Sequence, residues 1–336
     1  MEIDVAGRTV LVVGGAGYVG SILVTRLLES GARVRVLDQL VYDNGFSLAH
    51  LLDDERLTLT RGDLRDAGTF AEVAKGATDV VLLASLVGDP ICKKYPDFAR
   101  AVNVDGTKQI IDSLDSLGVE RFVFTSTCSN YGIHDSASLA TEESELNPQS
   151  LYARTKIEIE EHLLGGGAPS DTTATVLRIA TAYGLSPRMR FDLTVSQFAY
   201  ELASGGSLLV YDADTWRPYC HVRDIAKAIM TALSAPSELV RGEVFNVGDT
   251  GHQFTKRMIV EEVQSLIGDV DVEYREGDTD PRNYRVSFAK IAERLGFTCD
   301  QTVQRYLGSL TDAVRANVFP DVRGNNRYGN YVVDHL

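Results

Sequence analysis

The chain has 336 residues, 44% of them hydrophobic, and a formal net charge of −14 at pH 7. A surface this acidic repels nucleic acid and anionic membranes, so a phosphate-bearing ligand must be met by a local group of arginines. The sequence contains no run of eighteen apolar residues, the length needed to span a bilayer. Its acidic start lacks the basic and apolar segments of a secretory signal. We therefore expect a cytoplasmic protein that binds neither nucleic acid nor membranes.

The cysteines and histidines show no metal-ligand spacing. Cys92, Cys128, Cys220 and Cys299 are far apart and form no CxxC pair, and the six histidines form no HExxH pattern. We predict free thiols and no bound metal.

Short β-branched runs alternate with longer amphipathic stretches over the first 180 residues. This alternation is typical of a parallel sheet with helices on both faces, the doubly wound α/β Rossmann architecture. Strands are predicted at residues 9–13, 34–37, 57–60, 80–83, 121–125 and 174–179. A helix is predicted over residues 151–164, before the sixth strand.

The pattern loosens after residue 180. Helices are predicted near residues 191–203, 224–234, 255–267 and 300–316. We predict a cofactor-binding Rossmann domain over residues 1–180 and a smaller α/β substrate-binding lobe over residues 181–336, interwoven with the first. The polar tail from residue 323 is expected to lie on the surface or to be partly disordered.

A glycine-rich turn follows the first strand, where Gly14, Gly17 and Gly20 form a GxxGxxG pattern that opens a helix. Glycine is needed where the strand turns sharply, where backbone N–H groups approach a pyrophosphate and where a helix packs closely on a strand. The second strand ends at Asp38, whose carboxylate can accept hydrogen bonds from an adenosine ribose and would repel the 2′-phosphate of NADP. The cofactor is therefore predicted to be NAD.

Tyr152 and Lys156 are four residues apart, which places both side chains on one face of the predicted helix. A tyrosine, with an ordinary pKa of about 10, acts as a base near neutral pH only where positive charge stabilises its phenolate. Lys156 can supply that charge, and an oxidised nicotinamide would add more. This pair is predicted to transfer a proton.

These motifs, in this order and spacing, resemble the extended short-chain dehydrogenase/reductases, in particular the NAD-dependent epimerase/dehydratase family that acts on nucleotide sugars. The resemblance covers about residues 8–300. It implies cofactor contacts, beyond Gly14, Gly17, Gly20 and Asp38, from Tyr18, Val19, Asp63, Leu64, Leu83, Ala84, Ser85, Asn103, Thr125, Tyr152, Lys156 and Ala180. In the family, the asparagine matched by Asn103 also ties the central helix to the active-site strand.

The resemblance also implies a third catalytic residue and a substrate site. Thr127, 25 residues before Tyr152, matches the residue that hydrogen-bonds the reacting hydroxyl. The implied contacts to a nucleotide-diphosphate sugar are Val87, Thr127, Thr181, Arg217 and Arg282. Arg190 is predicted to join them, and for both Arg188 and Arg190 an exposed loop charge is the equal alternative. Among them, Arg217 and Arg282 would hold the diphosphate.

Three further expectations come from the resemblance. His221 would cap the following helix rather than act in catalysis, and Cys128 would face away from the site. The helices around residues 97–117 and 151–164 resemble those that pair between subunits, so a homodimer is expected.

Departures from the family pattern narrow the chemistry. The 4,6-dehydratases carry an Asp-Glu pair directly after the catalytic threonine, where this chain has Cys128 and Ser129, and sugar-acid decarboxylases carry a glutamate at the position of Ser129. NAD with Thr127, Tyr152 and Lys156 favours a C4 epimerase that works through a transient 4-keto intermediate. A C4 dehydrogenase or 4-ketoreductase with net redox change, and a non-catalytic NAD-sensing protein, are the alternatives. Thr181 replaces a substrate-contacting asparagine of the family, which leaves the sugar open.

Overall fold

The computed structural model describes residues 3–134, 138–277 and 282–333. The strands are β1 (Thr9–Val13), β2 (Arg33–Asp38), β3 (Leu57–Arg61), β4 (Asp79–Leu82), β5 (Arg121–Thr127), β6 (Thr173–Ile179), β7 (Thr181–Tyr183), β8 (Ser207–Tyr211), β9 (Trp216–His221), β10 (Glu243–Val247), β11 (Gln253–Thr255) and β12 (Asp271–Arg275). The α-helices are α1 (Gly20–Glu29), α2 (Ala67–Ala74), α3 (Asp89–Lys94), α4 (Pro96–Arg100), α5 (Thr107–Ser113), α6 (Leu151–His162), α7 (Thr194–Ala203), α8 (Val222–Ser234), α9 (Ser237–Val240), α10 (Lys256–Ile267), α11 (Ala289–Leu295) and α12 (Val303–Arg315).

Seven strands form one parallel sheet in the order β10-β6-β5-β4-β1-β2-β3. The chain moves outward from β1 in one direction to β2 and β3, and then returns to β4 on the other side of β1. In doubly wound sheets such a reversal opens a crevice at the carboxyl ends of the strands, where ligands bind. The predicted fold class is confirmed.

Alternating side chains of β1 supply the cores on both faces of this sheet. Val10 and Val12 belong to the core beneath α1 and α8, whereas Leu11 and Val13 belong to the core beneath α2 and α5. All four are buried because helices cover both faces, which is why the strand consists of consecutive apolar residues.

The smaller lobe has a separate hydrophobic core. There β9 pairs with β7 in parallel and with β11 in antiparallel orientation, while β8 pairs with β12. Helices α7, α10 and α12 pack on one another around buried Phe198, Val260 and Leu307. Among the described residues, no helix has the length and apolar character needed to cross a membrane.

Two features add detail to the predicted organisation. Strand β10, in the range predicted for the smaller lobe, pairs with β6 and completes the large sheet, so the two parts interweave more than a boundary at residue 180 implies. The tail is bound rather than disordered through Val333: the Arg188 Nη2 donates to the Gly329 carbonyl (2.9 Å), and the Asn330 Nδ2 donates to the Val87 carbonyl (3.2 Å). Residues 334–336 lie outside the described residues.

Candidate active site

A cavity of about 1150 Å³ lies beyond the carboxyl ends of β1, β4 and β5. It is lined by all but one of the residues implied for the cofactor and the substrate, namely Gly14, Gly17, Tyr18, Val19, Gly20, Asp38, Asp63, Leu64, Leu83, Ala84, Ser85, Val87, Thr125, Thr127, Tyr152, Lys156, Ala180, Thr181, Arg190, Arg217 and Arg282. The sequence pattern therefore brings one continuous site together from both parts of the chain.

Asn103 is the residue that does not line the cavity. It is buried, its Oδ1 accepts from the Leu86 N–H (2.7 Å), and its Nδ2 donates to the Thr155 Oγ1 (3.3 Å). These hydrogen bonds connect the segment after β4 to α6. Asn103 therefore supports the site from outside the cavity lining.

In the turn between β1 and α1, the positions of Gly14 and Gly20 have no room for a side chain. Gly14 has a φ of +90°, and an added Cβ would lie 2.6 Å from the backbone nitrogen of Ala84. A Cβ on Gly20 would lie 2.2 Å from the carbonyl oxygen of Gly14. Val19 provides no side-chain cap for α1, and within the first turn the Ser21 N–H donates to the Gly17 carbonyl (3.0 Å).

Polar groups beside this turn fit a dinucleotide. The Asp38 carboxylate accepts from the backbone N–H groups of Ala16 (3.0 Å) and Leu40 (2.9 Å), and burial raises its pKa. The hydroxyl oxygens of Ser85 and Tyr42 also lie in residues that line the cavity, and both are buried without a hydrogen bond. Buried polar groups of this kind are normally satisfied, so a polar ligand is the partner that they fit. Discrimination against NADP by Asp38 stays a prediction.

The three implied catalytic residues face the same cavity. Ser150 caps α6 by accepting from the Ala153 N–H (3.2 Å), which places Tyr152 in the first turn and Lys156 one turn later. The Lys156 Nζ donates to the Thr125 carbonyl (2.9 Å) and lies 5.8 Å from the centroid of the Tyr152 ring. Thr127 is the last residue of β5.

Burial is the largest influence on the pKa values of Tyr152 and Lys156. It raises the pKa of Tyr152 above its ordinary value and lowers the pKa of Lys156 to about 8. The charge that opposes the effect on Tyr152 comes from Arg190. The cost of desolvating the phenolate is thus the largest effect on the pKa of Tyr152 in the protein by itself. That Lys156 lowers this pKa stays a prediction.

A buried ionic network supports the catalytic residues from behind. The Arg178 Nη2 on β6 donates to the Glu160 Oε2 on α6 (2.6 Å), and the Glu160 Oε1 accepts from Ser126 on β5 and from the Asn130 Nδ2 (2.8 Å). The network fixes β5, β6 and α6 relative to one another. The sequence signal that was missed is a pair of charged residues at buried positions, Arg178 in an apolar strand and Glu160 one helical turn after Lys156.

Arginines gather at the side of the cavity formed by the smaller lobe. Arg217 is buried with its guanidinium 5.2 Å from the Tyr284 ring centroid, Arg282 pairs with Asp89 (3.0 Å) and Arg190 pairs with Asp192 (2.6 Å). These side chains form the local cationic group that an acidic protein requires for an anionic ligand.

Arg188 extends this group. Arg188 is only 2% exposed, so it is not an exposed loop charge, and it lines the cavity over the Tyr42 ring (5.0 Å). The tail residues Asn330 and Tyr331 also line the cavity, and nothing in their polar sequence indicated it.

Two expectations about neighbouring residues are confirmed. The His221 Nδ1 accepts from the Arg223 N–H (3.1 Å) at the start of α8, and burial lowers its pKa to about 4, so the imidazole is a neutral cap. Cys128 is buried outside the cavity lining, and its thiol donates to the Arg178 carbonyl (3.2 Å).

A doubly wound sheet with a glycine turn, a carboxylate after β2 and a tyrosine–lysine pair at its carboxyl edge defines the class of dinucleotide-dependent α/β enzymes. Comparison with known proteins identifies the group within that class. Residues 10–248 match the model of the NAD dependent epimerase/dehydratase family. The UDP-glucose 4-epimerase of Corynebacterium glutamicum is 30% identical over 310 residues, which cover 87% of this chain and 91% of the relative. The chain therefore belongs to the NAD-dependent epimerase/dehydratase family, and it is an enzyme with NAD as cofactor.

Solved structures agree with this assignment. The dTDP-glucose 4,6-dehydratase DesIV from Streptomyces venezuelae, with NAD bound, has a TM-score of 0.83 at 27% identity, covering 92% of this chain and 98% of its own. The UDP-glucose 4-epimerase of Thermus thermophilus, in complex with NAD, has a TM-score of 0.78 at 26% identity, covering 92% of this chain and 99% of its own. The predicted family, fold class and cofactor are confirmed.

Proposed function

We propose that the protein is an NAD-dependent nucleotide-sugar epimerase that acts at C4 through a transient 4-keto intermediate. The observation that carries the proposal is a single cavity in which Thr127, Tyr152 and Lys156 occur together with Arg190, Arg217 and Arg282. Proton-transfer groups beside anion-binding side chains suit a sugar attached to a diphosphate. The relatives named as UDP-glucose 4-epimerases support this chemistry.

Each residue of the site has its own role in the proposed reaction. The amides of the glycine turn hold the pyrophosphate of NAD, and Asp38 holds its adenosine ribose. When bound, NAD supplies the hydride acceptor and the positive charge of an oxidised nicotinamide. Tyr152 accepts the proton of the sugar hydroxyl, while Thr127 hydrogen-bonds and orients that hydroxyl. Lys156 adds positive charge beside the phenol, and Arg217 and Arg282 hold the diphosphate while the keto sugar turns over.

The bound tail favours epimerisation over net oxidation or reduction. An epimerase returns its hydride within one catalytic cycle and gains from keeping NAD bound, whereas a dehydrogenase or ketoreductase must exchange it. Asn330 and Tyr331 line the cavity, and Asn330 is bonded to Arg188 on one side and to Val87 on the other. Such a covering segment slows the exchange of a bound dinucleotide.

Dehydration is the activity named for DesIV, but the residues after Thr127 disfavour it here. Cys128 is buried outside the cavity lining, and Ser129 lacks the carboxylate that a glutamate would supply for eliminating water. Neither side chain can provide the acid and base pair of that reaction.

Two measurements test the proposal. Denaturing the purified protein should release about one NAD per chain, and incubation with UDP- and dTDP-hexoses should convert one of them into its C4 epimer without accumulation of NADH. Tyr152→Phe protein is the control for contaminating activity. A 4-keto-6-deoxy product, or NADH formed in step with product, would contradict epimerisation.

A further inference from the structure

Three side chains outside the cavity bring different metal-binding atoms together. Asp249 and His252 lie in the loop between β10 and β11, and Cys299 lies between α11 and α12. A carboxylate oxygen, an imidazole nitrogen and the thiol sulfur of these residues all lie within 4.8 Å of one another. The Nδ1 of His252 is buried and makes no hydrogen bond.

Backbone contacts hold both segments in place. The His252 carbonyl accepts from the Tyr219 N–H on β9 (2.9 Å), and the His252 N–H donates to the Asp249 carbonyl (3.0 Å). The carboxylate of Asp224 on α8 accepts from the N–H groups of Asp300 (3.0 Å) and Gln301 (3.1 Å), directly after Cys299. The fold thus holds both segments in place, and the side chains of His252 and Cys299 are in hydrogen-bond contact with each other.

A second sulfur lies beside the group. Residues alternate along β9: Arg217 and Tyr219 line the cavity, whereas Cys220 belongs to the core on the other side and its thiol is in hydrogen-bond contact with that of Cys299. Cys220 lies outside the group of three, and its thiol donates to the His221 carbonyl (3.8 Å).

We propose that Asp249, His252 and Cys299 form a zinc site that links the β10–β11 loop to the segment before α12. Sulfur, imidazole nitrogen and carboxylate oxygen are the donors that Zn²⁺ takes in proteins, whereas Mg²⁺ and Ca²⁺ prefer oxygen alone. None of the three residues lines the active-site cavity, so the site is separate from the chemistry proposed there. Its role is to stabilise the back of β9, the strand that carries Arg217.

Cobalt is the probe, because a thiolate bound to Co²⁺ gives a charge-transfer absorption and tetrahedral Co²⁺ gives visible bands. The full chain, stripped with a chelator and kept reduced, should take up one Co²⁺ with both signals, and one equivalent of Zn²⁺ should abolish them. Cys299→Ser should lose the charge-transfer band. Asp249→Asn should weaken binding at least tenfold, and it retains the acceptor that holds the Gly251 N–H. Cys92→Ala and His50→Ala, remote from the site, should bind as wild type.

Thermal unfolding provides a second measurement. Zn²⁺ should raise the Tm of the wild type and of both control variants, but not that of Cys299→Ser, because only a ligand bound to the folded state stabilises it. Circular dichroism establishes that each variant is folded. Equal cobalt binding by wild type and Cys299→Ser, or no binding by the reduced wild type, would overturn the proposal. If the purified protein contains a Cys220–Cys299 disulfide and binds no cobalt even after that disulfide is reduced, the proposal is also overturned.

Discussion

The pKa of the Tyr152 phenol depends on the burial and the charges around it. Burial raises the pKa of its phenol, and Arg190 opposes that effect from across the cavity. The protein alone therefore keeps Tyr152 protonated at neutral pH, and its use as a base requires the positive charge that an oxidised nicotinamide brings. This dependence couples proton transfer to the presence of the cofactor.

Tyr152→Phe should reduce single-turnover hydride transfer by about 10²–10⁴-fold, because it removes the group that accepts the proton. NAD affinity and folding should be unchanged. The measurement is the absorbance of NADH formed on the enzyme after mixing with the sugar nucleotide. Thr127→Ala should cost less, because its hydroxyl orients the substrate but does not take the proton. Tyr200→Phe, outside the cavity lining, is the matched control. NADH formation by Tyr152→Phe at the wild-type rate would refute the role of Tyr152.

Arg217→Ala should weaken binding of the nucleotide sugar about ten- to a hundredfold, the loss expected for a charge-assisted hydrogen bond of about 1.5–3 kcal/mol. NAD affinity should stay the same, since Arg217 is proposed to hold the diphosphate of the substrate. Calorimetric titration with each ligand separates the two effects. Arg257→Ala removes an exposed arginine paired with Asp214 and should change neither affinity. An equal loss for NAD and sugar nucleotide would show that Arg217 supports the fold instead.

Among the elements, the tail segment of residues 326–333 has the clearest functional consequence. The Asn330 Oδ1 accepts from the Arg188 Nη2 (2.8 Å), and its Nδ2 donates to the Val87 carbonyl (3.2 Å). Val333 is buried in the cluster that also contains Leu86 and packs against Tyr152. The segment therefore spans the cavity from the arginine group to the residues after β4.

Asn330→Ala should speed the release of bound NAD about thirtyfold, because it removes both of these hydrogen bonds, each worth about 1 kcal/mol. Stopped-flow displacement of NAD by excess NADH, followed by fluorescence, measures the rate. Gln304→Ala removes an exposed amide bonded to Glu262 on the outer face of the smaller lobe and should leave the rate unchanged. An unchanged rate in Asn330→Ala would mean that the tail does not retain the cofactor.

The elements also show which parts of the structure the sequence predicts. Strands β1 to β6 are recognisable because each is a short run rich in β-branched or other apolar residues, and the glycine turn is recognisable because its steric need is local. Strand β10 was missed as part of the large sheet because its partner, β6, is distant in sequence. Cys299 and His252 are also distant in sequence, so their proximity could not be predicted. The burial of Arg188 depends on distant segments in the same way, and its local sequence could not distinguish it from a surface charge.

For the whole molecule, we propose a homodimer formed through α6 and the helical region of residues 96–113. Light scattering at micromolar concentration should give twice the chain mass. Leu164 is 45% exposed at the end of this region, so Leu164→Asp should shift the protein toward monomer. Leu266→Asp alters a leucine of similar exposure (43%) on α10 and should leave the dimer intact. A monomer mass for the wild type would contradict this assembly.

The proposed reaction takes hydrogen from C4 of the sugar and returns it to the same carbon. It is tested most directly by giving the enzyme the hexose nucleotide that it converts, carrying deuterium at C4, and by analysing the product by NMR. The account predicts the C4 epimer with deuterium retained at C4 and no net NADH. A product with C4 hydrogen from solvent, a 4-keto product that accumulates, or an unchanged C4 configuration would contradict it.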